Sequence, residues 1–293
     1  MRRAALFAAC LLAGCVAIWR GSGVEIVGVA EVFAPGIAST EFSDARLTIS
    51  PDGRAALWFS RNRAGGAGGY DIWSSRRAAD GIWGAAEPVS FNSPTRDFDP
   101  AFSADGKYVY FASDRAGGLG GDDLWRVRVN GNGFDKPEHL GAAINSARNE
   151  WAPMLSPDGR TLLFSSDGHG GAGRMDLFTT RVTAQGFTTA TPVPGDLNTS
   201  ADEFDATYLA DGRAIVFSRA GNLSVDDVKL FHASPRRGRY AYGTLLPEAV
   251  NTVASNTYAP MLDWSSPNRL LFTTRRPANN PHAADLYVVK YRH

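Results

Sequence analysis

Cysteine is nearly absent. The 293-residue chain has two, Cys10 and Cys15, so its body carries neither a disulfide framework nor thiolate chemistry. Net charge is missing as well: 30 lysines and arginines balance 30 aspartates and glutamates. No basic stripe runs through the sequence, which argues against nucleic acid as a partner. His139, His169, His232, His282 and His293 are scattered without metal-ligand spacing. His-Glu-x-x-His, the Gly-x-Ser-x-Gly elbow and a Gly-Lys-Ser/Thr phosphate loop are all lacking. No amphipathic helix of ordinary length can be drawn. What remains is 44% apolar residues to fill a core, punctuated by 31 glycines and 16 prolines, a composition that leans toward β structure.

The apolar run at the start is short. Met1-Arg2-Arg3 precedes Ala4–Gly14 and then Cys15, the pattern of a secretory signal rather than a membrane span. Leu12-Ala13-Gly14-Cys15 resembles the lipobox of bacterial lipoproteins. That resemblance implies removal of residues 1–14, acylation of Cys15 and a tether over residues 15–24. Val16, in place of an aspartate, implies delivery to the outer membrane by the sorting rule of that family. A signal cleaved elsewhere, or an uncleaved anchor running through Val16–Trp19, remains open. Without Arg2 and Arg3 the body has 28 basic against 30 acidic residues, so lipid and not charge would hold it to a bilayer.

Self-comparison dominates the rest. Ser50-Pro51-Asp52-Gly53-Arg54 recurs around Asp105, Asp158 and Asp211, at intervals of 53, 53 and 53. Pro35, Pro88, Pro194 and Pro247 keep the same period, as do Ser39, Asn92, Asn145, Asn198 and Asn251. Each unit holds a short segment before the Asp-Gly turn, an apolar run with Trp58, Phe111, Phe164, Phe217 or Phe272, a loop, and a run such as Asp123-Leu124-Trp125. Four short aromatic and β-branched runs per unit read as four antiparallel strands, A to D, which is the grammar of a β-propeller. Four complete units span Ser39 to Asn251, and the 42 residues that follow suffice for strands A to C. The expected fold is all-β: a five-bladed β-propeller of four-stranded antiparallel blades, one domain over residues 25–293. Its ring is closed by an N-terminal strand, placed at Val29–Ala38, that hides the edges of the last blade.

The Ser-Pro-Asp-Gly-Arg turn, the run ending Phe-x-Ser and Asp-[Leu/Ile]-aromatic resemble the TolB-like, WD-type propeller repeats of bacterial envelope proteins. The likeness covers roughly residues 40–293 and is clearest at Ser156–Ser166 with Asp176-Leu177-Phe178. Two departures stand out: TolB proteins carry an additional α/β domain and six blades, and the fourth unit here has Lys229 where the others have aspartate. The resemblance implies a propeller in the envelope and not the partners of TolB.

Strand order puts the D-to-A and B-to-C loops on one face. Asp44, Asp97, Glu150 and Glu203 share the 53-residue period at the entry to strand A, beside Phe98, Trp151, Phe204 and Tyr258, with Arg46, Asp99 and Asp205 nearby. These carboxylates and aromatics are candidate ligand-binding residues around the mouth of the channel, framed by the glycine-rich loops Gly65–Gly69, Gly117–Gly121 and Gly168–Gly173. The competing expectation is that each carboxylate caps its own loop. The Asp-Gly turns and the strand-C aspartates are expected to close loops.

Two function classes follow. One is a monomeric, non-catalytic envelope lipoprotein that presents a propeller face to a protein, peptide or glycan. The other is a glycan-active hydrolase, which needs two carboxylates in different environments. No cofactor is required by either, although crowded carboxylates could attract a cation such as calcium.

Overall fold

The computed structural model describes residues 23–253, 255–275 and 283–293. The signal segment, Cys15 and most of the tether lie outside the described residues. Those described form strands and turns, grouped in five antiparallel sheets. Blade 1 runs Ser43–Ile49, Ala55–Arg61, Tyr70–Arg76 and Glu87–Pro88. Blade 2 runs Asp97–Phe102, Tyr108–Ser113, Asp123–Asn130 and Glu138–His139. Blade 3 has Glu150–Leu155, Thr161–Ser166, Asp176–Thr183 and Thr191–Pro192. Blade 4 has Asp202–Tyr208, Ile215–Ala220, Lys229–Ala233 and Thr244–Leu245.

Blade 5 joins both ends of the chain. Thr257–Leu262, Arg269–Thr274 and Asp285–Arg292 receive Glu25–Val32 as their outer strand, with Glu25 opposite Arg292 and Val32 opposite Tyr287. The closing strand therefore begins and ends earlier than Val29–Ala38. Chain geometry explains the correction: Ala34 takes φ 41°, and the N–H groups of Ile37 and Ala38 donate back to its carbonyl at 3.0 and 2.9 Å. The segment after Val32 is thus a turn, and Pro35 has no N–H to give a ladder.

The periodic markers have mechanical reasons. Asn92, Asn145, Asn198 and Asn251 each clamp the backbone of strand C, accepting from one N–H and donating to the carbonyl of the same residue. In blade 2, Asn145 takes the Leu124 N–H at 2.7 Å and gives to the Leu124 carbonyl at 3.0 Å. Ile72, Leu177 and Leu230 are held the same way. Ser39 does this for Leu286 with one hydroxyl. The Asp-Gly aspartates close Asx turns, as in Asp52 with Arg54 N–H (3.0 Å) and Ser50 Oγ (2.6 Å), while Gly53 supplies φ 70°. Between the clamps lie aromatic pairs in register, Phe164 on Phe178 and Phe272 on Tyr287 among them, with centroids 6.1 and 5.7 Å apart. Each such buried side chain contributes about 1.5–3 kcal/mol.

Candidate functional site

Every strand A carries a break in its ladder, at Arg46, Asp99, Ala152, Asp205 and Ala259, each in the left-handed region at φ between 47° and 55°. None is glycine, so each bulge is strained and depends on its neighbours to persist. Asp99 Oδ2 accepts the Ala152 N–H at 3.1 Å, and Asp205 Oδ2 accepts the Ala259 N–H at 3.2 Å, so bulge residues of blades 2 and 4 hold those of blades 3 and 5. The Arg46 N–H donates to Thr273 Oγ1 at 3.1 Å, and its Nη2 reaches across from blade 1 to the Pro153 carbonyl of blade 3 at 3.4 Å. Together these contacts form a hub on the axis of the ring.

The hub is buried and rich in ionisable groups. Arg46 is 0% exposed, Asp99 5% and Asp205 6%. Burial pushes the Asp99 carboxyl up to about 8, with Asp205 adding repulsion and Arg46 opposing it. Asp205 is raised by burial too, against the pull of Arg46. Arg46 Nε and Nη1 have no hydrogen-bond partner among the described protein groups. Tyr258 stands over the same place: after burial, Asp205, Tyr70, Asp99 and Asp44 all raise its hydroxyl.

The four periodic carboxylates lie elsewhere and do other work. Asp44, Asp97, Glu150 and Glu203 are fully buried. Each accepts the N–H and hydroxyl of the residue four places earlier: Thr40 at 2.9 and 2.7 Å, Ser93 at 2.5 and 2.8 Å, Ser146 at 2.9 and 2.6 Å, Thr199 at 2.8 and 2.6 Å. In Asp44 and Asp97 the other carboxylate oxygen is taken by Ser60 or Arg115, whereas in Glu150 and Glu203 the oxygen that accepts the hydroxyl also accepts from Ser166 or Arg219. Burial raises Asp44 to about 6 and also lifts Glu150 and Glu203. The picture of an open ring of carboxylates at the mouth is corrected here, because these groups cap their own D-to-A loops.

Behind each carboxylate sits a basic side chain whose role the sequence alone does not reveal. Arg63, Arg115, His169 and Arg219 reach the carbonyls of Ile37, Phe91, Ile144 and Leu197 and approach Asp44, Asp97, Glu150 and Glu203 in turn. The arginines lie over the aromatic side chains of strands B and C. The available signal was a basic residue one to three positions after the last serine of strand B in blades 1 to 4.

The glycine-rich loops pack and do not gape. A Cβ on Gly66, Gly118 or Gly171 would fall within 2.1 Å of the strand-C aspartate, and one on Gly68, Gly120 or Gly173 within 2.2 Å of a carbonyl in the next D-to-A loop. Asp71, Asp123 and Asp176 accept N–H groups of these loops, closing them as expected.

Aromatics do gather on this face. Phe59, Tyr70, Phe98 and Trp151 form an arc with centroid separations of 5.5–6.4 Å. Trp151 and Tyr258, partly exposed, and buried Phe204 continue it over Met175 and Val228. Among the described residues, no group of three or more His, Cys, Asp and Glu side chains is arranged to hold a metal.

No protein-family model matches the sequence. A stretch of 71 residues is 35% identical to the uncharacterized protein Atu1656 of Agrobacterium fabrum, covering 24% of this chain and 21% of that protein. The chain thus matches about a fifth of the length of that curated relative. Solved structures resemble it over 80–90% of its length. An endo-arabinase from Bacteroides thetaiotaomicron aligns with a TM-score of 0.59 at 14% identity, covering 90% of this chain and 98% of that one. A thermostable family-43 glycoside hydrolase gives 0.58 at 8% identity over 87% and 90%. A structure described as TolB of Agrobacterium tumefaciens gives 0.51 at 15% identity over 80% and 71%. At these identities the shared property is the fold, a β-propeller common to TolB-like proteins and glycoside hydrolases.

Proposed function

We propose that this chain is a lipid-anchored protein of the bacterial envelope, in the outer membrane and facing the periplasm, whose propeller holds a protein, peptide or glycan partner without chemical turnover. It acts as a monomer, uses no cofactor, and meets the membrane through lipid on Cys15. One observation carries the non-catalytic reading. The buried Arg46 side chain reaches from blade 1 to the Pro153 carbonyl of blade 3, and Asp99 and Asp205 beside it are almost closed to solvent. The periodic carboxylates are hydrogen-bonded into their own loops and offer no free acid or base. The binding face is the one with the D-to-A and B-to-C loops, where the aromatic arc reaches solvent at Trp151 and Tyr258.

A glycan-active hydrolase is the second reading, favoured by Asp99 and Asp205. They share one channel, and Asp99 stays protonated near neutral pH, as a general acid requires. One experiment separates the two. Purified protein is incubated with arabinan and other polysaccharides while reducing ends are counted, and binding to oligosaccharide and peptide panels is measured in parallel. Saturable binding that Trp151→Ala weakens, with no turnover, is the expected result. Turnover that disappears in both Asp99→Asn and Asp205→Asn establishes the hydrolase instead.

A further inference from the structure

Repeat-wide residues serve the repeat, so a binding function is sought where one unit departs from the others on the loop face. Two departures converge. Two positions before the periodic carboxylate, or before Thr257 that replaces it in blade 5, the units carry Phe42, Thr95, Arg148, Ala201 and Ser255. Two positions before the strand-C aspartate or lysine they carry Gly69, Gly121, Arg174, Asp227 and Ala283. Each position has arginine once, and both arginines belong to blade 3. They come from different loops yet line one cleft of about 430 Å³ between blades 3 and 4, with Trp151, Met175 and Leu223.

Open donors outnumber open acceptors in this cleft. Asp202 accepts the N–H groups of Met175 and Leu223 at 3.2 and 2.8 Å and Arg174 Nη2 at 2.5 Å, and its side chain is 1% exposed. Asp167 accepts the N–H and Nδ2 of Asn149 at 2.8 and 3.2 Å, and Arg148 Nη2 at 3.5 Å. Trp151 Nε1 is committed to Asp122 at 2.8 Å. The acceptors are thus largely consumed inside the protein. The two arginine side chains are 67% and 58% exposed and, with five N–H donors each, keep most of them for a ligand. Beneath them the floor is apolar and adaptable, formed by the Met175 thioether and Leu223 beside the indole of Trp151.

We infer that this cleft binds the free C-terminal carboxylate of a peptide, with the apolar side chain of its last residue on the Met175–Leu223 floor. A carboxylate has acceptors and no donor, which matches what the arginines leave open, and planar guanidiniums suit it geometrically. A neutral sugar ring fits less well, because each hydroxyl seeks an acceptor as well as a donor. The inference rests on the reading above that this is the binding face.

The test is calorimetric titration of the full protein with an N-acetylated pentapeptide ending in leucine. Parallel titrations use the same peptide with a C-terminal amide, digalacturonate, and a neutral arabino-oligosaccharide. The acid peptide is expected to bind at least about tenfold more tightly than the amide, with salt-sensitive affinity, because charge-assisted hydrogen bonds are lost with the charge. Arg148→Gln with Arg174→Gln is expected to erase that preference, with circular dichroism confirming that the variant is folded at the temperature of the titration. Equal affinity for acid and amide, or a preference that survives the double variant, overturns the inference. Binding of digalacturonate or the neutral sugar alone, weakened by Trp151→Ala, also overturns it while leaving the face reading intact. Silence in every arm removes both.

Discussion

Arg219 and Glu203 form a buried ion pair, Nε lying 2.6 Å from Oε1 with the side chains 5% and 0% exposed. The same guanidinium donates to the carbonyls of Leu197 and Tyr242, both at 2.8 Å, and lies 3.9 Å from the centre of the Tyr242 ring. One side chain therefore ties the D-to-A loop, strand B and the C-to-D connection of blade 4 together. Arg219→Met strands a carboxylate in the core and is expected to cost about 3–5 kcal/mol. Urea unfolding measures it, and adding Glu203→Gln should restore part of the loss.

Asp99 gives the fold a pH dependence of unusual sign. Its folded carboxyl sits at about 8 and that of Asp44 at about 6, against about 4 when unfolded. Between those values the native state binds more protons, so the stability these groups contribute is complete below about pH 4 and is lost as pH rises through 6 and then 8. Asp99→Asn keeps an oxygen for the Ala152 N–H and cannot ionise. Its melting temperature is expected to gain on that of the wild type between pH 5 and pH 8.5. A constant difference between the two proteins across that range contradicts this account.

The asparagine clamps are expected to be among the costliest polar positions to remove. Asn145→Ala leaves the N–H and carbonyl of Leu124 without side-chain partners in the core, at about 2–4 kcal/mol. Asn145→Ser should recover a measurable part, as Ser39 plays that role in blade 5. Denaturant midpoints of the two variants decide the matter.

Removing Glu25–Val32 exposes the outer edge of Asp285–Arg292. The truncated chain is expected to melt more than about 10 °C lower and to self-associate. A coincident melting curve, read by circular dichroism with sedimentation as a check on association, refutes closure as a source of stability.

Cys15→Ser tests the lipid anchor. Palmitate labelling in a bacterial host should vanish with the substitution, and the mature protein should lose its Cys15 amino terminus by mass spectrometry. Labelling that persists points to a different anchor.

The ring, its five blades and the strand-A entry points were legible because each is written several times at one period, so noise in one unit is corrected by the rest. The Asx turns were legible because Asp-Gly has few other uses. What one copy could not reveal was direction. Asp97 and Asp99 are two residues apart, as are Glu203 and Asp205, and alternation along an ideal strand would put each pair on one side. The bulge breaks that alternation, sending the first of each pair into its loop and the second toward the axis. The closing strand was misplaced by a related cause: Pro35 and Ser39 keep the period of the repeat, while the strand itself ends at Val32.

Glu25–Val32 is also the strand by which the amino-terminal side of the chain enters the domain, with Glu25 lying across from Arg292. Any tension transmitted from that side arrives first at this ladder, before a single contact of blades 1 to 4 is loaded. Ring closure and resistance to pulling are therefore one property, held by the same few hydrogen bonds. A protein so built yields by opening like a clasp at blade 5, and a stronger or weaker clasp can be set there without altering the face that carries the D-to-A and B-to-C loops.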